Sequence, residues 1–259
     1  MILDQIVKEK IKEIQRAQEK VSLKELIEKS SSFATHLRGF KEAISRPGKI
    51  NLIAEIKKTS PSGGVLREEF EPAEIARTYK ASGASALSVL TEKNFFQGNI
   101  DYLKKVKAAV DLPVLRKDFV IDKYQIYESV CAGADAILLI VKLLSEEKLA
   151  EFSRLCAQLK IDAVYEVHSE EDLDKALSQD SDIIGINNRD LNTFEIDLQV
   201  SSRLIKRIPG SKVIISESGI KTPQDVRYLQ NLGVHAVLIG EIFMRSKDIA
   251  SKVKEIMGG

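Results

Sequence analysis

From residue 50 onward, the chain alternates between short apolar runs and longer charged segments with helical spacing. Strands that alternate with amphipathic helices are typical of parallel sheets whose faces are covered by the helices. The apolar runs are Leu52–Ile56, Ala86–Leu90, Pro113–Leu115, Ala136–Ile140, Ala163–Val167, Ile183–Ile186, Val213–Ile215 and Ala236–Ile239. The amphipathic stretches begin at Pro72, Ile100, Lys123, Ser145, Glu170, Leu198, Thr222 and Ser246. Eight consecutive units of this kind predict an α/β fold closed into a single (βα)8 barrel.

A repeated glycine supports the barrel interpretation. The segments ASGASALSVL, CAGADAILLI and NLGVHAVLIG each place a glycine, namely Gly83, Gly133 and Gly233, shortly before an apolar run. Their spacings of 50 and 100 residues fit two and four βα units. We therefore expect these glycines to end helices and lead into the second, fourth and eighth strands.

The first 48 residues precede the eight units and form a predicted N-terminal helical extension. Ile2, Ile6, Ile11 and Ile14 are spaced to lie on one side of a helix, and Pro47-Gly48 is a turn signal. We expect residues 1–259 to form one barrel domain that includes this extension. The extension can cap one end of the barrel, contribute to a substrate lid, or serve as an interaction arm.

Charge and cysteine content exclude several classes of protein. Lys and Arg total 39 against 38 Asp and Glu, so there is no basic surplus of the kind that nucleic-acid binding requires. No run is long enough to span a membrane, and the charged N-terminus does not resemble a signal peptide. Cys131 and Cys156 lie in apolar segments and are interpreted as small buried apolar residues. Free thiols of this kind are typical of a protein in a reducing compartment. These features predict a cytoplasmic protein.

Polar residues follow five of the predicted strands. The active site of a (βα)8 barrel forms at the carboxyl ends of its strands, so these residues are candidates for a common site. Any one of them can be a structural ion pair, but burying several charges in one mouth is costly without a function. The candidates are Glu55, Lys57, Arg116, Lys117, Asp118, Glu166, His168, Asn187, Asn188, Arg189, Asp190, Ser216, Glu217 and Ser218. Since alternate strand residues point oppositely, Glu55 and Lys57 are expected to share the interior face.

Three loops suggest an anionic ligand. Barrels often hold phosphate with backbone amides after the seventh and eighth strands, where Gly219 and Gly240 stand here. The first loop, KKTSPSGG, offers the hydroxyls of Ser60 and Ser62 beside two glycines, a composition that suits a mobile clamp. The three histidines, His36, His168 and His235, show no metal-ligand spacing, and no metal site is predicted.

The chain resembles the indole-3-glycerol phosphate synthase family over essentially its full length. The matching segments are IAEIKKTSPSGG, LSVLTEKNFFQG, PVLRKDFVIDKYQI, GADAILLI, YEVHSEEDL, IGINNRDLNTFEIDL, ISESGI and VLIGE, in the expected order. The resemblance implies a lyase that converts 1-(2-carboxyphenylamino)-1-deoxyribulose 5-phosphate into indole-3-glycerol phosphate. This reaction releases carbon dioxide and water and uses no cofactor, and the implied partner is this small phosphorylated substrate. We expect a monomer.

The resemblance also implies roles for individual side chains. Lys117 matches the general acid for ring closure, and Glu166 matches the acid tied to dehydration. Lys57 matches a lysine that contacts substrate anions and can itself donate a proton, so the division between Lys57 and Glu166 is open. Glu55 and Asn187 hold and polarise these groups, and Glu55 is also a candidate base. Glu217 and Ser218 complete the catalytic set.

Further positions match substrate contacts of the family. Arg189 and Ser60 match contacts to the substrate or its covering loops. The phosphate cradle corresponds to Gly219, Gly240 and Glu241, and the apolar pocket for the aromatic ring to Phe96, Phe119, Leu138 and Leu191. The sequence departs from the family pattern at Tyr165 and Ile242, which puts the packing behind Glu166 and the edge of the phosphate site in question.

Two other functions remain open at this stage. One is a barrel isomerase or aldolase acting on another phosphorylated sugar through a Schiff base on Lys117. The other is a binding or regulatory barrel that kept the site but lost turnover.

Overall fold

The computed structural model describes residues 2–33, 37–61, 63–179, 181–190, 193 and 195–258. Leu191, Ser62 and His36, which the sequence singles out, lie outside the described residues. Described strands and helices alternate through the chain after residue 50.

The eight predicted strands are present and close into a parallel barrel. Their bounds are β1 Asn51–Ile56, β2 Ala86–Leu90, β3 Val114–Lys117, β4 Ala136–Ile140, β5 Asp162–Val167, β6 Ile183–Asn187, β7 Val213–Glu217 and β8 Ala236–Ile239. Each strand pairs with its sequence neighbours, and β8 pairs with β1 in the register Asn51 to Ala236. Closure brings all eight carboxyl ends to one mouth, which confirms the predicted (βα)8 architecture.

Helices surround the barrel and precede it. Their bounds are α1 Ile2–Lys20, α2 Leu23–Phe33, α3 Phe40–Ile44, α4 Pro72–Ala81, α5 Ile100–Ala109, α6 Lys123–Ala132, α7 Glu146–Leu159, α8 Glu170–Leu177, α9 Gln199–Leu204, α10 Pro223–Asn231, α11 Glu241–Met244 and α12 Ile249–Met257. Ser145 and Thr222 act as N-caps, which is why the observed helices begin one residue after the predicted starts. The short helix α11 was not predicted, and the last helix begins at Ile249 rather than Ser246 because Asp248 caps it.

Side chains alternate between two cores along each strand. Ile53 contributes to a cluster inside the barrel, whereas its neighbours Leu52 and Ala54 pack in the layer between strands and helices. The three repeated glycines end helices with φ of 88°, 88° and 89°, a left-handed conformation that favours glycine. They lead into β2, β4 and β8 as predicted.

The N-terminal extension takes two of the roles left open by the sequence. Helix α3 closes the amino-terminal end of the barrel, where Phe40 and Ile44 are fully buried in the interior cluster. Helix α1 lies at the other end and contributes to the wall of the site. The predicted stripe on α1 is partly wrong, since Ile11 is 46% exposed and Lys10 is buried instead. The ammonium of Lys10 is paired with Asp118 and Glu13.

The two cysteines differ in burial. Cys156 is buried as expected, but Cys131 is only half-buried, in the contact between α2 and α6. Both are free thiols. Among the described helices, none combines the length and apolar character needed to cross a membrane.

Candidate active site

A cavity of about 610 Å³ opens at the carboxyl ends of the strands. Every residue to which the family resemblance assigns a role, where the structure describes it, lines this cavity, although the chemical roles stay predictions. These residues are Glu55, Lys57, Ser60, Phe96, Lys117, Phe119, Leu138, Glu166, Asn187, Arg189, Glu217, Ser218, Gly219, Gly240 and Glu241. Leu191 lies outside the described residues.

The ammonium of Lys117 lies between two carboxylates. Its Nζ is 2.6 Å from Oε2 of Glu166 and 2.5 Å from Oε2 of Glu217. The three side chains come from β3, β5 and β7, and both glutamates are buried. The arrangement holds one lysine across the centre of the mouth.

Lys117 and its two glutamates have perturbed pKa values. Burial by itself would lower the pKa of Lys117. The negative charges of Glu166, Glu217 and Glu55 together have a larger effect in the opposite direction, so the net pKa is raised and the ammonium form persists. Burial raises the pKa of Glu217 to about 7, opposed by Lys117 and reinforced by Glu166. Burial by itself would raise the pKa of Glu166. The electrostatic effects of Lys117 and His168 oppose burial and are larger together, so the net pKa is lowered. Of these two glutamates, Glu217 is therefore the one that takes up a proton at the higher pH.

The pKa of Glu166 bears on its predicted role as the acid in dehydration, which stays a prediction. A carboxyl that donates a proton near neutral pH needs a raised pKa, as general acids in other enzymes have. The structure lowers the pKa of Glu166, because its second charged neighbour is a histidine whereas Glu217 faces other carboxylates. The observed contact of Glu166 is the ion pair with Lys117.

A second lysine–glutamate pair lies on β1. Nζ of Lys57 is 2.5 Å from Oε1 of Glu55, and both side chains point into the barrel as the alternation predicted. Glu55 is 4% exposed, and Lys57 is half-buried. An ammonium and a carboxylate therefore face the same region of the cavity and can act as acid and base.

Asn187 connects the ends of β6 and β7. Its Oδ1 accepts hydrogen bonds from Oγ of Ser218 at 2.9 Å and from the backbone N–H of Arg189 at 3.1 Å, and its side chain hydrogen-bonds to Glu166. Ser218 has a φ of 68°, which is unusual for a residue with a side chain. Strain at this position is typical of functional sites.

Some polar residues at strand ends face away from the cavity. Asn188 donates to the backbone carbonyl of Glu217 and to Oγ of Ser216, so it fastens β6 to β7 from outside. Arg116 donates to Oγ of Ser129 on α6. The pleat of each strand explains this division, because only alternate residues point inward. Arg116, Asn188 and Ser216 are therefore supporting residues.

The predicted phosphate region contains two glycines that cannot be replaced without displacing protein atoms. A Cβ on Gly240 would lie 2.6 Å from Oε1 of Glu55, and one on Gly219 would lie 2.5 Å from Cγ2 of Ile196. Gly219 also has a φ of 82°. Gly240 precedes helix α11, whose first backbone N–H groups, beginning with Glu241, have no intrahelical partner. These amides supply the donors that a phosphate cradle needs.

The other side of the cavity is apolar and includes residues that the sequence did not identify. The rings of Phe96 and Phe119 lie 6.3 Å apart between centroids. Facing the same cavity are Ile2, Leu3 and Ile6 of α1. Their helical spacing was visible in the sequence, but which surface of the barrel they cover was not.

The first loop contains a short hairpin in which Thr59 pairs with Val65 and Ser60 with Gly64. Oγ of Ser60 accepts a hydrogen bond from the N–H of Gly63 at 3.0 Å. Arg245, which follows α11 and was not predicted, donates to the carbonyl oxygen of Gly63 at 2.6 Å. This contact links the first loop to the loop after β8.

The histidines that the structure describes are not metal ligands of this site. His168 is buried behind Glu166, with Nε2 3.4 Å from Oε1 of that residue, and Nδ1 is 3.8 Å from Oδ2 of Asp172. Burial lowers its pKa. His235 accepts a hydrogen bond from the N–H of Ile214 at its Nδ1.

The two departures from the family pattern fall in different layers. The hydroxyl of Tyr165 donates to Oγ of Ser153 on α7, so this side chain packs outside the barrel and away from the cavity. Ile242 lines the cavity beside Glu241.

Comparisons with known proteins identify the family. The family model described as indole-3-glycerol phosphate synthase matches residues 3–256. An indole-3-glycerol phosphate synthase of Caldanaerobacter subterraneus subsp. tengcongensis is 51% identical, with 100% of both chains covered. Relatives with the same name from Acetivibrio thermocellus and Legionella pneumophila are 48% and 44% identical, covering 98% and 99% of this chain and 98% of each relative.

Solved structures show the same fold at low identity. A mutant tryptophan synthase α-subunit from Pyrococcus furiosus has a TM-score of 0.62 at 14% identity, covering 81% of this chain and 98% of that one. A 3-hexulose-6-phosphate synthase has a TM-score of 0.62 at 14% identity, covering 81% and 99%. These two comparisons concern the barrel alone.

Proposed function

The chain belongs to the indole-3-glycerol phosphate synthase family, and we propose that its cavity performs the family reaction through Lys117 and the Lys57–Glu55 pair. The substrate is 1-(2-carboxyphenylamino)-1-deoxyribulose 5-phosphate, and the products are indole-3-glycerol phosphate, carbon dioxide and water. The observation that carries the proposal is the ammonium of Lys117, held between two buried glutamates inside a cavity with an apolar and a glycine-lined side.

The two sides of the cavity fit the two ends of the substrate. The aromatic ring packs against Phe96, Phe119 and Leu138 on the apolar side. The phosphate is bound near Gly219 and Gly240, where the first amides of α11 offer donors. The reacting carbons then lie between these two sides, where the lysines are.

Ring closure requires a proton at the ketone oxygen. The ring carbon that bears the carboxyl group attacks the carbonyl carbon, and Lys117 donates a proton to the oxygen as the new carbon–carbon bond forms. Loss of carbon dioxide returns its bonding electrons to the ring and restores aromaticity. Because the pKa of Lys117 is raised, the residue starts this step as an ammonium.

Dehydration requires a second acid and a base. We assign the acid to Lys57, which donates to the departing hydroxyl, and the base to Glu55, which takes up a proton as the indole forms. Their contact at 2.5 Å places both groups together, whereas the lowered pKa of Glu166 makes it a poor donor. Glu166 instead holds Lys117, together with Glu217.

The raised pKa of Lys117 also opposes the Schiff-base alternative. A Schiff base forms from a neutral amine, and enzymes that use one lower the pKa of the lysine. Borohydride reduction in the presence of substrate distinguishes the two chemistries. A stable mass adduct on Lys117 would support the Schiff base, and its absence together with turnover supports the acid.

The proposed function is tested by mixing the purified protein with the carboxyphenylamino substrate and following indole fluorescence. The sequence contains no tryptophan, so the background is low. We expect a fluorescence increase together with release of carbon dioxide. No product at any pH between 6 and 9 would leave a binding or regulatory role as the better explanation.

We further propose that residues 1–259 form one domain that acts as a cytoplasmic monomer without a nucleic-acid partner. The balanced charge and the two free thiols support this view. Analytical ultracentrifugation at micromolar concentration tests the monomer, and a sedimentation coefficient typical of a dimer would contradict it.

A further inference from the structure

Lys10 of helix α1 is buried on the apolar face of its helix. It lies one turn beyond Ile6, in line with the buried residues Leu3 and Ile6, and only 2% of its surface is exposed. Its ammonium is 2.8 Å from Oδ1 of Asp118 and 2.7 Å from Oε2 of Glu13. A buried ammonium is costly unless it is paired, so this lysine depends on these partners.

Asp118 is the residue after Lys117 and has no exposed side-chain surface. Its Oδ1 accepts from the N–H of Phe119 at 2.8 Å, and its Oδ2 accepts from Oγ1 of Thr91 at 2.6 Å and from Nη2 of Arg116 at 3.1 Å. With Lys10, four donors surround one carboxylate. These contacts fix the backbone from which Lys117 and Phe119 project into the cavity.

The same helix supplies part of the apolar wall. Ile2, Leu3 and Ile6 line the same cavity as Lys117 and Phe119, and Leu3, Ile6 and Phe119 belong to one hydrophobic cluster. The pair between Lys10 and Asp118 is therefore a direct connection between this wall and the strand end that carries Lys117.

We propose that Lys10 is a positioning residue for the reaction, which ties the ring-binding wall of α1 to the turn that carries Lys117. This inference rests on the proposed function, because the aromatic ring of that substrate is what the wall would place against the acid. Lys10 does not touch the reacting atoms. It acts through Asp118 and through the position of α1.

The chain contains a matched control at the opposite end of the barrel. Lys107 on α5 is also a paired helix lysine, although only half-buried, and its Nζ lies 2.6 Å from Oδ2 of Asp135. Asp135 accepts from the N–H of Val114, the first residue of β3, at 2.7 Å. Both pairs thus connect a helix to β3, but only the pair with Lys10 is at the active-site end.

The test compares full-length Lys10→Met and Lys107→Met proteins. Methionine keeps the length of the side chain and removes the charge. We expect kcat/KM to fall by about 100-fold in Lys10→Met, as for a small misplacement of reacting groups, and to stay near the wild-type value in Lys107→Met. Melting temperatures of both variants are measured, and kinetics are recorded well below the lower one.

Binding of substrate fragments separates positioning from stability. Titration calorimetry with anthranilate, which represents the ring end, should show weaker binding to Lys10→Met. Titration with inorganic phosphate should give the wild-type affinity, because the phosphate region is on β7 and β8. Lys10→Arg, which keeps the charge, should recover a large part of the lost kcat/KM.

Several results would overturn the inference. Equal kcat/KM in the two methionine variants, or unchanged anthranilate binding in Lys10→Met, would show that Lys10 serves stability alone. If Lys10→Met does not fold, Lys10→Gln decides the question in the same assays, since it keeps a donor for Asp118. An inactive wild-type protein would instead count against the proposed function.

Discussion

Nζ of Lys117 lies 2.5 Å from Oε2 of Glu217, which joins the end of β3 to the end of β7 across the barrel mouth. The contact leaves Glu217 with a pKa of about 7, because burial and the nearby Glu166 outweigh the lysine. The carboxyl beside the proposed acid therefore titrates near neutral pH.

Replacing Lys117 tests the acid directly. We expect Lys117→Ala to lower kcat by about 10²- to 10⁴-fold, the usual contribution of a positioned general acid, while phosphate binding is retained. Steady-state fluorescence kinetics and phosphate titration give the two quantities. Lys123→Ala, a half-exposed lysine on the outer surface, is the control. Wild-type turnover in Lys117→Ala would exclude the assignment.

The pH dependence of kcat/KM should report Glu217. At a pH below its pKa of about 7, the carboxyl of Glu217 is neutral. At a higher pH it becomes a second carboxylate beside Glu166, which holds the proton of Lys117 more tightly and repels an anionic substrate. We therefore expect kcat/KM to decrease as the pH rises through about 7. Glu217→Gln, which stays neutral, should lose this decrease and keep the rate measured at low pH. An increase through the same range would contradict the assignment.

Lys57 and Glu166 are distinguished by the intermediate that accumulates. If Lys57 protonates the departing hydroxyl, Lys57→Met should still consume substrate and accumulate the cyclised, decarboxylated alcohol. Glu166→Gln should slow ring closure without accumulating this species, because it loosens Lys117. Rapid quench with mass spectrometry detects the alcohol. Its accumulation in Glu166→Gln and not in Lys57→Met would return the acid role to Glu166.

A side chain at position 240 should disturb two functions together. The Cβ of Gly240→Ala would lie 2.6 Å from Oε1 of Glu55, so the Lys57–Glu55 pair must shift, and bulkier Gly240→Val should also weaken phosphate binding. Calorimetry with inorganic phosphate and fluorescence kinetics measure the two effects. Gly210→Ala is a suitable control because nothing lies within 4 Å of the added carbon. Unaltered phosphate affinity in Gly240→Val would place the cradle elsewhere.

The sequence by itself determined the barrel and most of the site. Strands of a parallel barrel are buried on both faces, so each appears as an apolar run, and eight of them in alternation with helices leave little choice of fold. The interior direction of Glu55 and Lys57 followed from the two-residue period of a strand. The family resemblance supplied the roles, and closure of the barrel brought their side chains to one cavity.

Only the tertiary structure decided which charges meet and what they do to one another. Lys117 contacts Glu166 and Glu217 because barrel closure sets the distances between strand ends, and no local pattern records those distances. The opposite pKa directions of the two glutamates depend on summed burial and neighbouring charges, which exist only in the folded chain. Likewise, helical spacing predicted an amphipathic α1 but not its buried Lys10, since an ammonium enters an apolar face only where a distant carboxylate, here Asp118, is placed to receive it.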